Sequence, residues 1–531
     1  MSSRTFSWAI HAPALLLTGV ALACNTPPPI TVPEPPQVSL QLAETNTVGT
    51  RFKFAVSTSG CDQVQRLEIF DDGRSIKAVP YTSTPTQVTL STDELSYRKG
   101  ISAPLSLSAT VTCADGRTNF SQAQLATFFP VEEVVEPSSS TSQVLPPYFV
   151  AEGTGNDVTF IGCAMQGNVG VLYRVKKSDP NNPTPLELDF PCDATTLITD
   201  RKPALTGLRW VWTRDQGVLA IKSDFSRAYS YKGAIKNVVV GPDGSALIYD
   251  VVQMQLVSPA GTELWRSTIT GDENFLPGTI AGEPMVRTGG LSTGTIVVPI
   301  KDDDVNATNV LVAVLEYKSG KLTATYTMDA LSLDAPFWTA FDDTGSVLYL
   351  GTQQGDSAVV RACALGKSKP CVASEPGTRL WITTQVLQGP PAALIPYNNN
   401  ARLAVVNANQ TWFLDVRNLP GNKATQGGVV NKDQASLKPN GALVARFVQP
   451  GPGNAFYQFN SAIGTDATPD PYPVEIMATE EAEKGLLFRY QVQGDSLYGA
   501  VDDSGALWMR VGRKLVKPLP LARYRQLREK P

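Results

Sequence analysis

The chain has 531 residues with 45 basic and 49 acidic side chains, a formal net charge of −4, and so lacks the positive footprint that nucleic-acid binding needs. Its 42 glycines and 40 prolines, without any long apolar stretch at a 3.6-residue period, exclude a helical protein and predict an all-β one. The one histidine, His11, lies at the extreme N-terminus, in what reads below as a cleaved leader; this removes Ser-His-Asp and Cys-His catalysis, histidine-ligated zinc and Cys-x-x-Cys-His haem attachment.

Residues 1–23 read as a signal peptide. Arg4 supplies the positive charge, residues 12–22 form an apolar run too short to span a membrane, and Ala21-Leu22-Ala23 places small residues directly before Cys24. That arrangement resembles the bacterial lipoprotein box, with Ala21 standing where the family usually has Leu. The resemblance implies cleavage before Cys24, lipid on the new N-terminal cysteine, and attachment to the membrane through that lipid. Asn25, by resemblance to enterobacterial sorting, implies the outer membrane. Residues 24–36 then form a proline-rich spacer, extended and semi-rigid, that holds the folded part off the membrane.

Seven cysteines minus Cys24 leave six, Cys61, Cys113, Cys163, Cys192, Cys363 and Cys371. Taken as sequence neighbours they pair as Cys61 with Cys113, Cys163 with Cys192 and Cys363 with Cys371; six cysteines allow about fifteen connectivities, so local pairing is a preference among them. An oxidising compartment outside the cytoplasm is where such bridges persist.

Residues 37–130 predict a β-sandwich. Val38-Ser-Leu-Gln-Leu42 and Arg51-Phe-Lys-Phe-Ala-Val56 alternate apolar and polar side chains, and Asp72-Gly73 and Asp115-Gly116 sit between alternating runs as hairpin turns. The layout resembles a bacterial immunoglobulin-like domain, although the tryptophan that pins antibody cores is missing between Cys61 and Cys113. Its expected role is that of a spacer or docking domain. Residues 131–147, with Val-Glu-Glu-Val-Val-Glu followed by a Ser/Thr/Pro run, read as a linker by composition.

Residues 148–520 offer many short β runs with a worn repeat. Gly261-Thr-Glu-Leu-Trp265 recurs as Gly377-Thr-Arg-Leu-Trp381 and, shortened, as Gly505-Ala-Leu-Trp508. Turns at Asp243, Asp343 and Asp503 precede matching strands and lie 100 and 160 residues apart, which fits units of about 50 residues. These motifs resemble the repeats of quinoprotein-like (PQQ-repeat-like) β-propellers, and the resemblance implies a seven- or eight-bladed ring. Trp265 and Trp381 are expected to pack between neighbouring blades. Asp503-Ser-Gly505-Ala-Leu-Trp508 resembles the Asp-box of sialidase propellers, with Val501 where that motif has serine. Residues 521–531 form a basic tail.

Quinoprotein dehydrogenases carry adjacent cysteines over the quinone, and this chain has none, so the resemblance covers the blade and stops short of the active site. No cofactor, metal or catalytic residue is expected. In plan the chain is similar to the propeller lipoproteins of the outer-membrane β-barrel assembly machinery, which carry no immunoglobulin-like domain ahead of the ring. The expected function is a non-catalytic, lipid-anchored envelope scaffold that binds a protein or a glycan. The alternative is a propeller enzyme, a quinone-dependent oxidoreductase or a carbohydrate-processing enzyme.

Overall fold

Strict alternation builds the first unit: Phe52, Phe54 and Val56 point inward at 2% exposure or less while Arg51 and Lys53 between them face water. The structure, a computed structural model, describes residues 33–91, 93–95, 105–136, 149–193, 196–199, 207–241, 243–250, 253–268, 278–280, 282–287, 294–302, 310–328, 337–342, 347–354, 357–364, 379–382, 387–388, 391–397, 402–407, 411–415, 436–437, 443–450, 455–462, 473–480, 485–493, 499–511, 514–520 and 523. The signal peptide, Cys24 and most of the proline-rich spacer lie outside those residues.

Nine strands follow the spacer: β1 (Gln37–Leu42), β2 (Asn46–Gly49), β3 (Arg51–Ser59), β4 (Val64–Asp71), β5 (Arg74–Val79), β6 (Thr86–Ser91), β7 (Leu105–Cys113), β8 (Thr118–Phe120) and β9 (Gln124–Val135). One sheet has the order β1-β3-β6, and the other runs β5-β4-β7-β9, with β8 also on β7 and β2 lying parallel to β9. Phe52, Leu90, Leu67, Ile69, Leu107 and Phe128 come from both sheets into one core, the arrangement of a β-sandwich.

After the sandwich the described residues form seven successive antiparallel sheets of four or five strands. The first holds Phe149–Glu152, Thr159–Gln166, Val169–Lys176 and Asp179–Glu187; the second and third end at Arg227–Lys232 and Glu263–Thr268. The fourth begins at Gly278–Ile280, the fifth at Phe337–Phe341, the sixth at Pro391–Tyr397 and the seventh at Leu443–Pro450. Each is built on a four-stranded antiparallel meander, the construction of propeller blades; the fourth and fifth carry one additional short strand, Met285–Arg287 and Leu387–Gln388, off that path. Apolar layers join consecutive sheets, as where Leu247, Tyr249 and Leu256 of the third meet Ile296, Val298 and Leu315 of the fourth.

The last three strands, Gly499–Val501, Leu507–Val511 and Lys514–Pro518, are completed by β9, whose Val131–Val135 end pairs antiparallel with Lys514–Pro518. The sandwich therefore supplies the outer strand of the final sheet, and the innermost strands of the first and final sheets are neighbours. This corrects the boundary drawn at residue 130: residues 131–135 are a strand and not the start of a linker, while residues 137–147 lie outside the described residues. The physical reason is that the strand sits at a sheet edge, where charged side chains are favoured over an apolar run. Val131 and Val135 face inward, Glu133 pairs with Lys177 at 2.5 Å and Glu132 with Lys517 at 3.2 Å.

Candidate binding surfaces

The closure of the ring fixes which surfaces are free. Phe149, Phe160 and Val175 of the first sheet share a core with Ala500, Trp508 and Leu515 of the final sheet and Val135 of β9. The Lys177 ammonium lies over the Trp508 ring, 5.6 Å from its centroid, and donates to the Gly155 carbonyl at 2.8 Å. Gly153 and Asp503 are bonded twice across the seam: the Gly153 N–H donates to Asp503 Oδ2 at 2.9 Å, and the Asp503 N–H to the Gly153 carbonyl at 3.1 Å.

The Asp-box-like turn is built differently from the expected alignment. Asp502, not Asp503, holds it: Asp502 Oδ1 accepts from Ser504 N–H, Ser504 Oγ and Ala506 N–H, while Oδ2 accepts from Trp508 Nε1 at 2.9 Å. Adjacent strand-end residues point to opposite sides, so one aspartate ties the turn and the next reaches the first sheet. The same five-residue hairpin recurs at 113–117, 222–226, 241–245 and 258–262, each with the first N–H donating to the fifth carbonyl. Its fourth residue has positive φ, which Gly116, Gly244, Gly261 and Gly505 accept freely and Phe225 accepts at φ 69. Phe225 is held there by burial among Val150, Ile161 and Leu219, with the Arg174 guanidinium 4.9 Å from its ring.

Trp265 packs between sheets as expected. Its Nε1 donates to the Tyr317 carbonyl at 2.7 Å, and its ring lies so close to Gly320 that a Cβ there would stand 2.8 Å from the indole. Tyr317 in turn donates through its hydroxyl to Asp243 Oδ2 at 2.7 Å; burial pushes its pKa up to about 12, the Ser245 bond opposes this, and the Asp243 charge adds to it. The Trp381 side chain lies outside the described residues.

The cysteines follow the local pairing where they are described: Cys61 bridges Cys113 with Cα atoms 5.5 Å apart, and Cys163 bridges Cys192 at 5.9 Å. Cys24, the Cys363 side chain and Cys371 lie outside the described residues. Of the basic tail, Arg523 alone is described, and it contacts Asp93 of the sandwich.

Strand directions separate two faces. The Val131 end of β9 lies beside Pro518, on the side that carries the 502–506 turn, the Gly153 contact and the hairpins at 222–226, 241–245 and 258–262. The sandwich therefore joins the ring on that side. The opposite face carries the hairpins at 167–168 and 214–216, flanked by Met165 and Val169, each 44% exposed. At the sandwich-side ends of their strands, Arg209, 1% exposed, reaches both Glu152 and the Thr199 carbonyl, locking the first sheet to the second. That ion pair had no sequence signal, since neither residue sits in a repeat. Among the described residues no three His, Cys, Asp or Glu side chains converge as they would around a metal ion.

On the sandwich, a groove of about 710 Å³ opens between β1, the end of β3 and the β8–β9 segment, lined by Gln37, Ser39, Ser57, Phe120, Gln122 and Gln124 among others. The spacer reaches the sandwich beside it: Arg117 donates to the Glu34 carbonyl at 2.7 Å, and Asn119 Nδ2 to the Pro36 carbonyl at 2.6 Å. The groove was missed in the sequence because its residues are dispersed over four segments.

No protein-family model and no curated protein matches the chain. Among solved structures, a Dos1 propeller aligns over 72% of this chain and 96% of its own, with 13% identity and a TM-score of 0.44. BamB from Moraxella catarrhalis covers 73% and 99% at 10% identity and TM-score 0.38, and hydrazine synthase of Kuenenia stuttgartiensis 66% and 97% at 11% and 0.35. Likeness at this level concerns fold alone; the ring layout above rests on this chain's own strand pairing.

Proposed function

We propose that this chain is a non-catalytic scaffold of the bacterial cell envelope, anchored in the outer membrane by lipid on Cys24. In this reading the sandwich is an immunoglobulin-like strut and the remaining strands are an eight-bladed β-propeller with quinoprotein-like repeats. The parallel pairing of β2 with β9, after β1 has paired in the opposite sheet, supports the immunoglobulin-like assignment. The count of eight takes the final three strands plus β9 as one blade.

The observation that carries the proposal is the placement of β9. The anchored spacer meets the sandwich at the β7–β8 hairpin, whereas β9 leaves from the opposite end of β7 to enter the ring. From Cys113 back along β7 to Leu105, and on along β9 to Val131, is roughly 40 Å at about 3.3 Å per residue. A ring held stiffly at that distance, with its far face turned from the anchor, presents a platform and needs no chemistry of its own. Exposed Met165 and Val169 on that face suit a protein partner.

Two measurements on protein extracted from native membranes in detergent test this. Intact mass must show a lipid adduct on Cys24; an unmodified cysteine sinks the anchor. Photo-cross-linkers at Asn168 and Gln216 on the far face should capture one envelope protein, while the same probe at Ala260 on the sandwich side should not. Capture from Ala260 alone, or from neither face, contradicts the platform reading.

A further inference from the structure

We infer that the groove between β1 and the β8–β9 segment is a binding site for a neutral oligosaccharide, separate from the ring platform and independent of that reading. Its lining is uncharged. Gln37, Ser39, Ser57, Gln122 and Gln124 present amides and hydroxyls, which both donate and accept hydrogen bonds, as sugar hydroxyls do. Gln37, Ser39, Gln122 and Gln124 are exposed on the groove walls, and Phe120 stands at the rim with 73% of its surface in water.

An exposed phenylalanine beside a band of amides offers a flat apolar face on which the C–H face of a pyranose ring can stack. The volume of about 710 Å³ falls within the range of small-ligand clefts, about 300–1,000 Å³. Charged ligands find no counter-ion in the lining. An added peptide strand is excluded by spacing: β1 and β8 approach within 8 Å, and a strand seated between them needs about 9.6 Å, two inter-strand steps.

The site also lies where the spacer joins the sandwich, which, with the lipid anchor proposed above, would be the membrane-proximal end of the strut. An oligosaccharide there would be engaged close to the anchored surface, while the far face of the ring stays free for its own partner.

The test is calorimetric and NMR titration of the full mature chain with uncharged tetrasaccharides of glucose, mannose and N-acetylglucosamine, and with an acidic tetrasaccharide as control. Saturable binding of at least one neutral sugar is expected. Phe120→Ala should weaken it about tenfold or more and Gln124→Ala by severalfold, with Phe120→Trp retaining it. Both residues are exposed, so the melting temperature of each variant should stay at the wild-type value, which separates lost binding from lost fold. No saturable binding to any neutral sugar, binding of the acidic control alone, or full binding by Phe120→Ala overturns the proposal. A failed far-face cross-link would leave this site untouched, and the converse holds.

Discussion

Trp508 of the final sheet meets Phe160 of the first edge to face, their ring centroids 5.0 Å apart, and this contact joins strands 348 positions apart in sequence. The indole is 1% exposed and its Nε1 is bound to Asp502, so it serves both the seam and the turn beside it. Trp508→Ala should destabilise the protein by about 3–5 kcal/mol, the range for emptying a buried aromatic site. Trp508→Phe keeps most of the packing but strands a buried carboxylate oxygen, for a loss of about 1–3 kcal/mol. Denaturant unfolding of the two variants checks the order.

The two neighbouring aspartates should differ. Asp502→Ala removes the acceptor for three N–H groups and a hydroxyl in one turn, whereas Asp503→Ala removes the bond to Gly153 N–H. Asp502→Ala is expected to be the more damaging by about 1–2 kcal/mol. The reverse order in thermal melts would restore the Asp-box alignment through Asp503.

Phe225 sets burial against backbone strain. Phe225→Ala loses the side chain and keeps positive φ on a residue with a Cβ; Phe225→Gly loses the same side chain but relieves the strain. Both should destabilise, with Phe225→Gly the milder by about 1 kcal/mol. Equal losses would mean that the turn relaxes out of the left-handed region.

Glu94 makes the sandwich acid-sensitive. Burial alone would raise its pKa, but hydrogen bonds from Lys77 and Ser91 outweigh that and hold it below the usual carboxylate value; the Lys77 ammonium lies 2.7 Å away. A depressed folded-state pKa means stability that is present above the unfolded value and lost as pH falls through the folded one. Glu94→Gln should therefore lower stability at neutral pH, where the charged Glu94 is bound to Lys77, and flatten the acid limb of the profile, so that the two proteins converge at low pH. An unchanged acid limb would remove the pair from the account.

The bridges Cys61–Cys113 and Cys163–Cys192 should each contribute about 2–4 kcal/mol. Peptide mapping without reductant should recover both linked pairs. A different pairing would contradict the architecture at two places, the β7 end and the first ring sheet.

Much of the architecture could be read from residues alone, because turns and alternation are local. The Gly261-to-Trp265 run, the Asp115-Gly116 hairpin and the alternating β3 all behave as their patterns predict. What escaped depends on partners far away. Val131–Val135 has a linker's composition, and its strand identity comes from Lys514–Pro518, nearly 400 positions later. Spacing could not tell which of Asp502 and Asp503 points into the turn, and Ser223-Asp224-Phe225-Ser226 hid a hairpin because it lacks glycine. The candidate groove left no trace for the same reason, since folding alone assembles its walls.

Hydrogen exchange of residues 131–135 tests the central claim that a sandwich strand closes the ring. In the intact protein the amides of this segment that face Lys514–Pro518 should be protected far beyond linker rates, and protection should collapse there and in Leu507–Val511 together in Trp508→Ala. Exchange of residues 131–135 at the rate of an unstructured linker, with Leu507–Val511 still protected, would contradict it.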